Sequence, residues 1–155
     1  MQLALAQSTL QTPLVPDALF DEFPTHGGFT ALLAAFRASG GTARGDDVAR
    51  LLEDHGLGDF IGLAKLIASG EVFGFEWRSE LWIPMFQFEL RDLSVQPATR
   101  QVLSALGSGF KGWSRAAWFA RPNSCLNFLA PVDLLATRLP DVLDAARTDR
   151  FIAVG

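Results

Sequence analysis

Cysteine occurs once in the 155-residue chain, at Cys125, and tyrosine not at all. A single thiol excludes an intrachain disulfide and a cysteine-rich metal centre, and it fits a reducing compartment. Histidine is nearly as scarce: His26 and His55 fall in different segments, so a structural zinc site lacks its ligands, and neither metal nor cofactor is expected. Lysine is confined to Lys65 and Lys111, the other cations being arginine, and the net charge is -4. Without a global excess of positive charge, contact with nucleic acid would require a local basic patch. No segment approaches the roughly 18 apolar residues that cross a bilayer. The opening "MQLALAQSTL" also lacks the basic flank of a signal peptide. A cytoplasmic protein without a membrane partner is therefore expected.

Catalytic patterns are missing as well. There is no phosphate loop of Walker or dinucleotide-binding type, no nucleophile elbow and no paired histidine spacing. Cys125, within "NSCLNF", reads as a small buried hydrophobe rather than a nucleophile paired with His26 or His55. Asp46, Asp47, Glu53 and Asp54 recur at helical spacing and read as a solvated face. These absences point away from an enzyme.

What the chain does contain is core material: 49% hydrophobic residues, with 13 Phe and 4 Trp, enough for one domain-sized core. Residues 1–27, broken by Pro13, Pro16 and Pro24, read as an irregular arm whose Leu14, Leu19, Phe20 and Phe23 pack onto the body or a second subunit. "FTALLAAFRAS" sets Phe29, Leu32, Leu33 and Phe36 at helical spacing, and Gly40-Gly41 ends it. With Thr42 as cap, "ARGDDVARLLEDHG" forms a second helix, and Asp59 opens a third in "DFIGLAKLIASG". "EVFGFEW" and "LWIP" switch to the short aromatic and β-branched runs of a hairpin, with Gly74 weakening or bulging the first strand. "MFQFEL" either prolongs the strand or turns across the core.

From Pro97 the pattern is helical again: "PATRQVLSALG", then "RAAWFA" capped by Ser114 and stopped by Pro122. Two further helices open at Pro131 and Pro140. The fold class is thus mainly α with a small β-hairpin. It divides into an arm (1–27), a helical and hairpin region (28–96) and a helical region (97–155).

Across residues 43–84 the order helix, glycine turn, helix, hairpin resembles the winged helix-turn-helix of excisionase-like DNA-binding modules. The resemblance makes "FIGLAKLIASG" the recognition helix and the hairpin the wing. Arg44, Arg50, Lys65 and Arg78 are the cations such a module would aim at phosphates.

A second resemblance covers about the last forty-five residues. Trp113, the run "WFARPN" from Trp118 to Asn123, Leu126, "PVDLL" from Pro131 and then Val142-Leu143 follow the order of the toxin-binding domain of the Xre/MbcA/ParS antitoxin family. That resemblance implies a partner toxin of the NAD-degrading RES class. It also implies an amino-terminal helix-turn-helix that reads operon DNA. Phe128 stands near the place where the family commonly has a glycine. Physically, Pro122 and Pro131 would build a corner in which Asn123 bonds turn backbone and Trp118, Phe119 and Leu126 bury against Leu134 and Leu135.

On this resemblance Trp118, Asn123, Arg147 and Arg150 are the toxin-binding candidates. The two arginines could reach an acidic or phosphate-lined pocket, or could simply complement the dipole at the end of the last helix. The reading that follows is a non-enzymatic antitoxin-like homodimer: a winged helix-turn-helix-like lobe followed by a multi-helix toxin-binding-like lobe. The alternatives are a DNA-binding regulator without a toxin, and a small-ligand module with its pocket in the Trp/Phe-rich hairpin.

Overall fold

Thr25 opens the first helix of the described residues, its hydroxyl accepting from the Gly28 amide at 2.9 Å and satisfying one of the amides that a helix start leaves unpaired. The computed structural model describes residues 24–154. The proposed contacts of Leu14, Leu19, Phe20 and Phe23 lie outside them. Helix α1 spans His26–Phe36 and continues as a single 3-10 turn to Ser39. The last two residues of the expected arm thus belong to this helix. Gly40, at φ 112°, supplies the left-handed turn that ends it.

The next segment corrects the sequence reading. Thr42 was expected to cap a helix, yet it lies in strand β1 (Thr42–Arg44), opposite Pro84 of strand β3 (Glu80–Pro84). Helix α2 (Gly45–Asp54) starts directly after β1 with no side-chain cap, and its first turn carries Asp46 and Asp47, where the positive end of the helix favours carboxylates. Helix α3 (Phe60–Ala68) opens as anticipated: the Asp59 carboxylate accepts from the amides of Ile61 and Gly62.

Strand β2 (Phe75–Trp77) and β3 form the hairpin, turned by Arg78 and Ser79, both at positive φ (51° and 63°). Two consecutive left-handed residues match the right-handed twist of the flanking strands. The sheet is antiparallel throughout, in the order β1-β3-β2. Gly74 precedes β2 as a point of close approach: a Cβ there would sit 2.7 Å from the tips of both Ile83 and Leu81.

"MFQFEL" turns across the core instead of extending the strand. Residues Met85–Gln87 make a 3-10 turn. The fully buried Gln87 amide fixes it, accepting from Phe73 N and donating to the carbonyls of Phe73 and Pro84. Both of its N–H donors and its carbonyl oxygen are thus partnered, as burial demands.

Helix α4 (Pro97–Leu106) begins with proline at its first turn. Helix α5 (Trp113–Ala120) is entered from Gly112 at φ 49°. Ser114, expected to cap this helix, lies inside it and closes the loop before it, its hydroxyl exchanging hydrogen bonds with the backbone of Lys111. Helices α6 (Pro131–Leu134) and α7 (Leu139–Val154) complete the chain, and α7 packs along α4.

The described residues are mostly helical, with one small three-stranded sheet. Two apolar clusters hold them together. The smaller joins α2, α3 and β3 through Val48, Leu52, Leu63 and Ile83. The larger crosses the boundary drawn at 96/97: Leu32 and Phe36 of α1 share it with Phe73 and Phe75 and with Leu106, Trp118, Phe119 and Val142 of the carboxy-terminal helices.

Candidate functional site

The corner between α5 and α6 is built from its prolines outward. Arg121 turns extended ahead of Pro122 and stops α5. Asn123 then organises the turn: its amide donates to Leu129 O, its carbonyl accepts from the amides of Leu126 and Phe128, and its side-chain oxygen accepts from Cys125 N. The resulting 3-10 turn, Ser124–Leu126, points Leu126 into the core and leaves Cys125 exposed. The expectation of a buried thiol is corrected on that ground, since a three-residue turn can bury only one of its side chains here and Leu126 is the larger apolar group.

The two resemblance-based candidates of the corner are tied together by a residue the sequence reading did not single out. Trp118, buried, donates its indole N–H to Asp149 Oδ2 at 2.7 Å, and the Asn123 side-chain amide donates to the same oxygen at 3.0 Å. One carboxylate of α7 thereby holds both the end of α5 and the corner, through hydrogen bonds strengthened by its charge. Trp118 and Asn123 act on the position of α7 and not on solvent. Phe119 and Leu126 are buried in the same cluster as Leu134, with Leu135 packed against it, which is the packing the order of residues suggested.

The corner nevertheless has an outward surface. Asn127 and Phe128 both adopt left-handed backbone (φ 55° and 63°), and the Phe128 ring is 73% exposed. Phe128, near the place where the resembled family commonly has glycine, thus has a backbone conformation that favours glycine. Leu129 is exposed beside Phe128, and at the far end of α7 Phe151 and Ile152 are 79% and 69% exposed.

Arg147 and Arg150, the other two candidates, sit differently. Arg147 is exposed and paired with Asp144 one turn back at 2.9 Å. Arg150 reaches instead to the Gly107–Gly109 turn: a Cβ on Gly107 would lie 2.9 Å from Arg150 Nε. Arg115 meets the same turn from α5, donating through Nη2 to Gly107 O at 3.0 Å. Partial burial pushes the Arg115 guanidinium below its usual pKa.

The DNA-binding candidates do not form one patch. Arg44 pairs with Glu80 at 3.0 Å and lies over the Trp82 ring, Arg50 pairs with Asp47 at 3.8 Å, and Arg78 at the hairpin tip lies over Trp77. Lys65 is exposed on α3. Around it the solvent side of that helix is apolar, carrying Phe60 and Ile61.

The hairpin aromatics fill one another's space: Phe29 stacks on Trp77 at 5.2 Å and meets Trp82 edge-on at 5.1 Å. A cleft of about 360 Å³ opens elsewhere, where Phe86, Phe88, Leu90 and Glu89 face Val132 and Asp133. Among the described residues, no three of His, Cys, Asp or Glu gather as a metal site, and no helix is long and apolar enough to cross a membrane. No family model, curated protein or solved structure matches the chain.

Proposed function

We propose that the protein is a non-enzymatic, antitoxin-like binding protein whose corner and last helix hold a partner toxin, of the RES class by the resemblance set out above, in the cytoplasm. The observation that carries this reading is the Asp149 clamp: it fixes α7 against the corner while the neighbouring Phe128 is held exposed in a left-handed conformation. A rigid corner that presents an aromatic ring to solvent has the character of an interface anchor. Trp118 and Asn123 set the geometry, Phe128 and Ile152 supply apolar contact, and Arg147 and Arg150 extend the surface with charge.

The test is co-expression of the tagged chain with the product of its neighbouring gene. A stoichiometric complex is expected, lost in Phe128→Glu and Ile152→Glu while the circular dichroism of the free chain stays unchanged. A neighbouring product without toxin character, and no complex, would end the reading.

A second reading is DNA recognition by residues 26–84. It draws on their element order, α1-β1-α2-α3-β2-β3 with the sheet ordered β1-β3-β2, which is the order of a winged helix. In this reading α3 is the recognition helix and Arg78 sits at the wing tip. Gel-shift titration with upstream DNA over a salt series tests it. Binding should weaken steeply as salt rises, and no shift at the lowest salt rejects it.

The first reading takes the protein as a homodimer, paired through the exposed apolar end of α2 and α3; the second needs that face of α3 free.

A further inference from the structure

We propose that the guanidinium groups of Arg115 and Arg150, gathered on the Gly107–Gly109 turn, form a binding site for the phosphoryl group of a small molecule. This goes beyond toxin and DNA recognition and does not rest on either.

The turn brings the two cations together from elements far apart in sequence. Arg115, in the first turn of α5, donates Nη2 to Gly107 O at 3.0 Å. Arg150, near the end of α7, lies across the other side of the same residue, where the space of a missing Cβ admits its Nε and Cζ. Gly107 has φ 70° and ψ -162°, a conformation open essentially to glycine. Its lack of a side chain both allows the turn and leaves the cradle into which Arg150 settles.

Neither arginine has a carboxylate among the ion pairs of the described residues. Six of the other arginines, Arg44, Arg50, Arg91, Arg100, Arg138 and Arg147, do. Arg115 Nε, moreover, is buried with no hydrogen-bond partner. A buried N–H of a charged group left unpaired is costly, and Arg150 brings a second charge without a carboxylate partner to the same turn. An anion with several oxygens can engage both groups. The planar fork of arginine matches phosphoryl oxygens in paired hydrogen bonds, and Lys111 on the same loop adds an exposed cation at its rim. "GSGFKG" over residues 107–112 joins two helices and not a strand to a helix, so the site is a basic turn and not a dinucleotide fold.

Calorimetric titration of the full chain with pyrophosphate and with inorganic phosphate, at ionic strength held constant with chloride, tests the site. Saturable binding is expected, weakened roughly tenfold or more by Arg150→Ala, which removes an exposed side chain, and also by Arg115→Lys, which keeps the charge and loses the fork. Arg37→Ala, which removes an exposed arginine at the end of α1, should leave the titration unchanged. Near-UV circular dichroism of each variant separates lost binding from lost folding, and Arg150→Ala keeps the test decisive if the Arg115 variant does not fold. The proposal is overturned by a non-saturating response, by equal titrations of wild type and Arg150→Ala, or by binding of a short DNA duplex at this turn without binding of pyrophosphate.

Discussion

Phe128 and Asp149 pull the corner's stability in opposite directions. A left-handed backbone costs an L residue about 1–2 kcal/mol, and Phe128 at φ 63° recovers little of that by burial because its ring faces solvent. Asp149 accepts from a buried indole and from the amide of Asn123. Removing it leaves both donors without their partner, the indole one beyond the reach of solvent. In denaturant unfolding, Phe128→Gly should therefore stabilise by about 1 kcal/mol, and Asp149→Ala should destabilise by about 3 kcal/mol. Should Phe128→Gly prove destabilising, the ring holds the corner together, and its role as an outward anchor falls with that result.

At the scale of elements, legibility in the sequence followed the range of the interactions that make each one. Helices α1, α3 and α4 could be read directly because their signals are local: apolar spacing, a glycine stop, an Asp59 cap, a proline in the first turn. The hairpin was legible from its change of period, but its third strand was not. Thr42–Arg44 contains one aliphatic residue, and it becomes a strand only because Ile83 and Trp82 offer a backbone edge some forty positions later; read locally, Thr42 is a plausible cap. The same limit governs the candidate site. The order of prolines and Asn123 betrayed a corner, and the apolar contacts of Trp118 and Leu126 followed from it. Asp149, lying between Arg147 and Arg150, reads as one more charge on a solvated helix until the fold carries it 31 positions back to Trp118. Arg115 and Arg150 likewise reach one turn only because the fold brings α5 and α7 to Gly107.

For the whole molecule, the arrangement of exposed apolar groups separates two surfaces. Leu51, Leu57, Phe60 and Ile61 lie at one end, around the turn between α2 and α3, while Phe128 and Leu129 belong to the corner and Phe151 and Ile152 to the end of α7. Exposed apolar clusters of this kind on a small domain mark association surfaces. The net charge of -4 sets up only weak repulsion between copies. Pairing through the α2–α3 end would be isologous, each copy offering the same patch to the other. It would also cover the solvent face of α3 that DNA recognition needs free, so a dimer through this patch and reading of DNA by α3 exclude one another. Sedimentation equilibrium at low-micromolar concentration should accordingly give a dimer for the wild type and a monomer for Ile61→Glu, which places a charge inside the apolar contact. Because the corner is a separate surface, the same variant should still capture the proposed partner. An Ile61→Glu chain that stays dimeric removes the α2–α3 end as the interface. A monomeric variant that gains a DNA shift absent in the wild type would show the patch to be a cover over α3, with dimerisation competing against DNA.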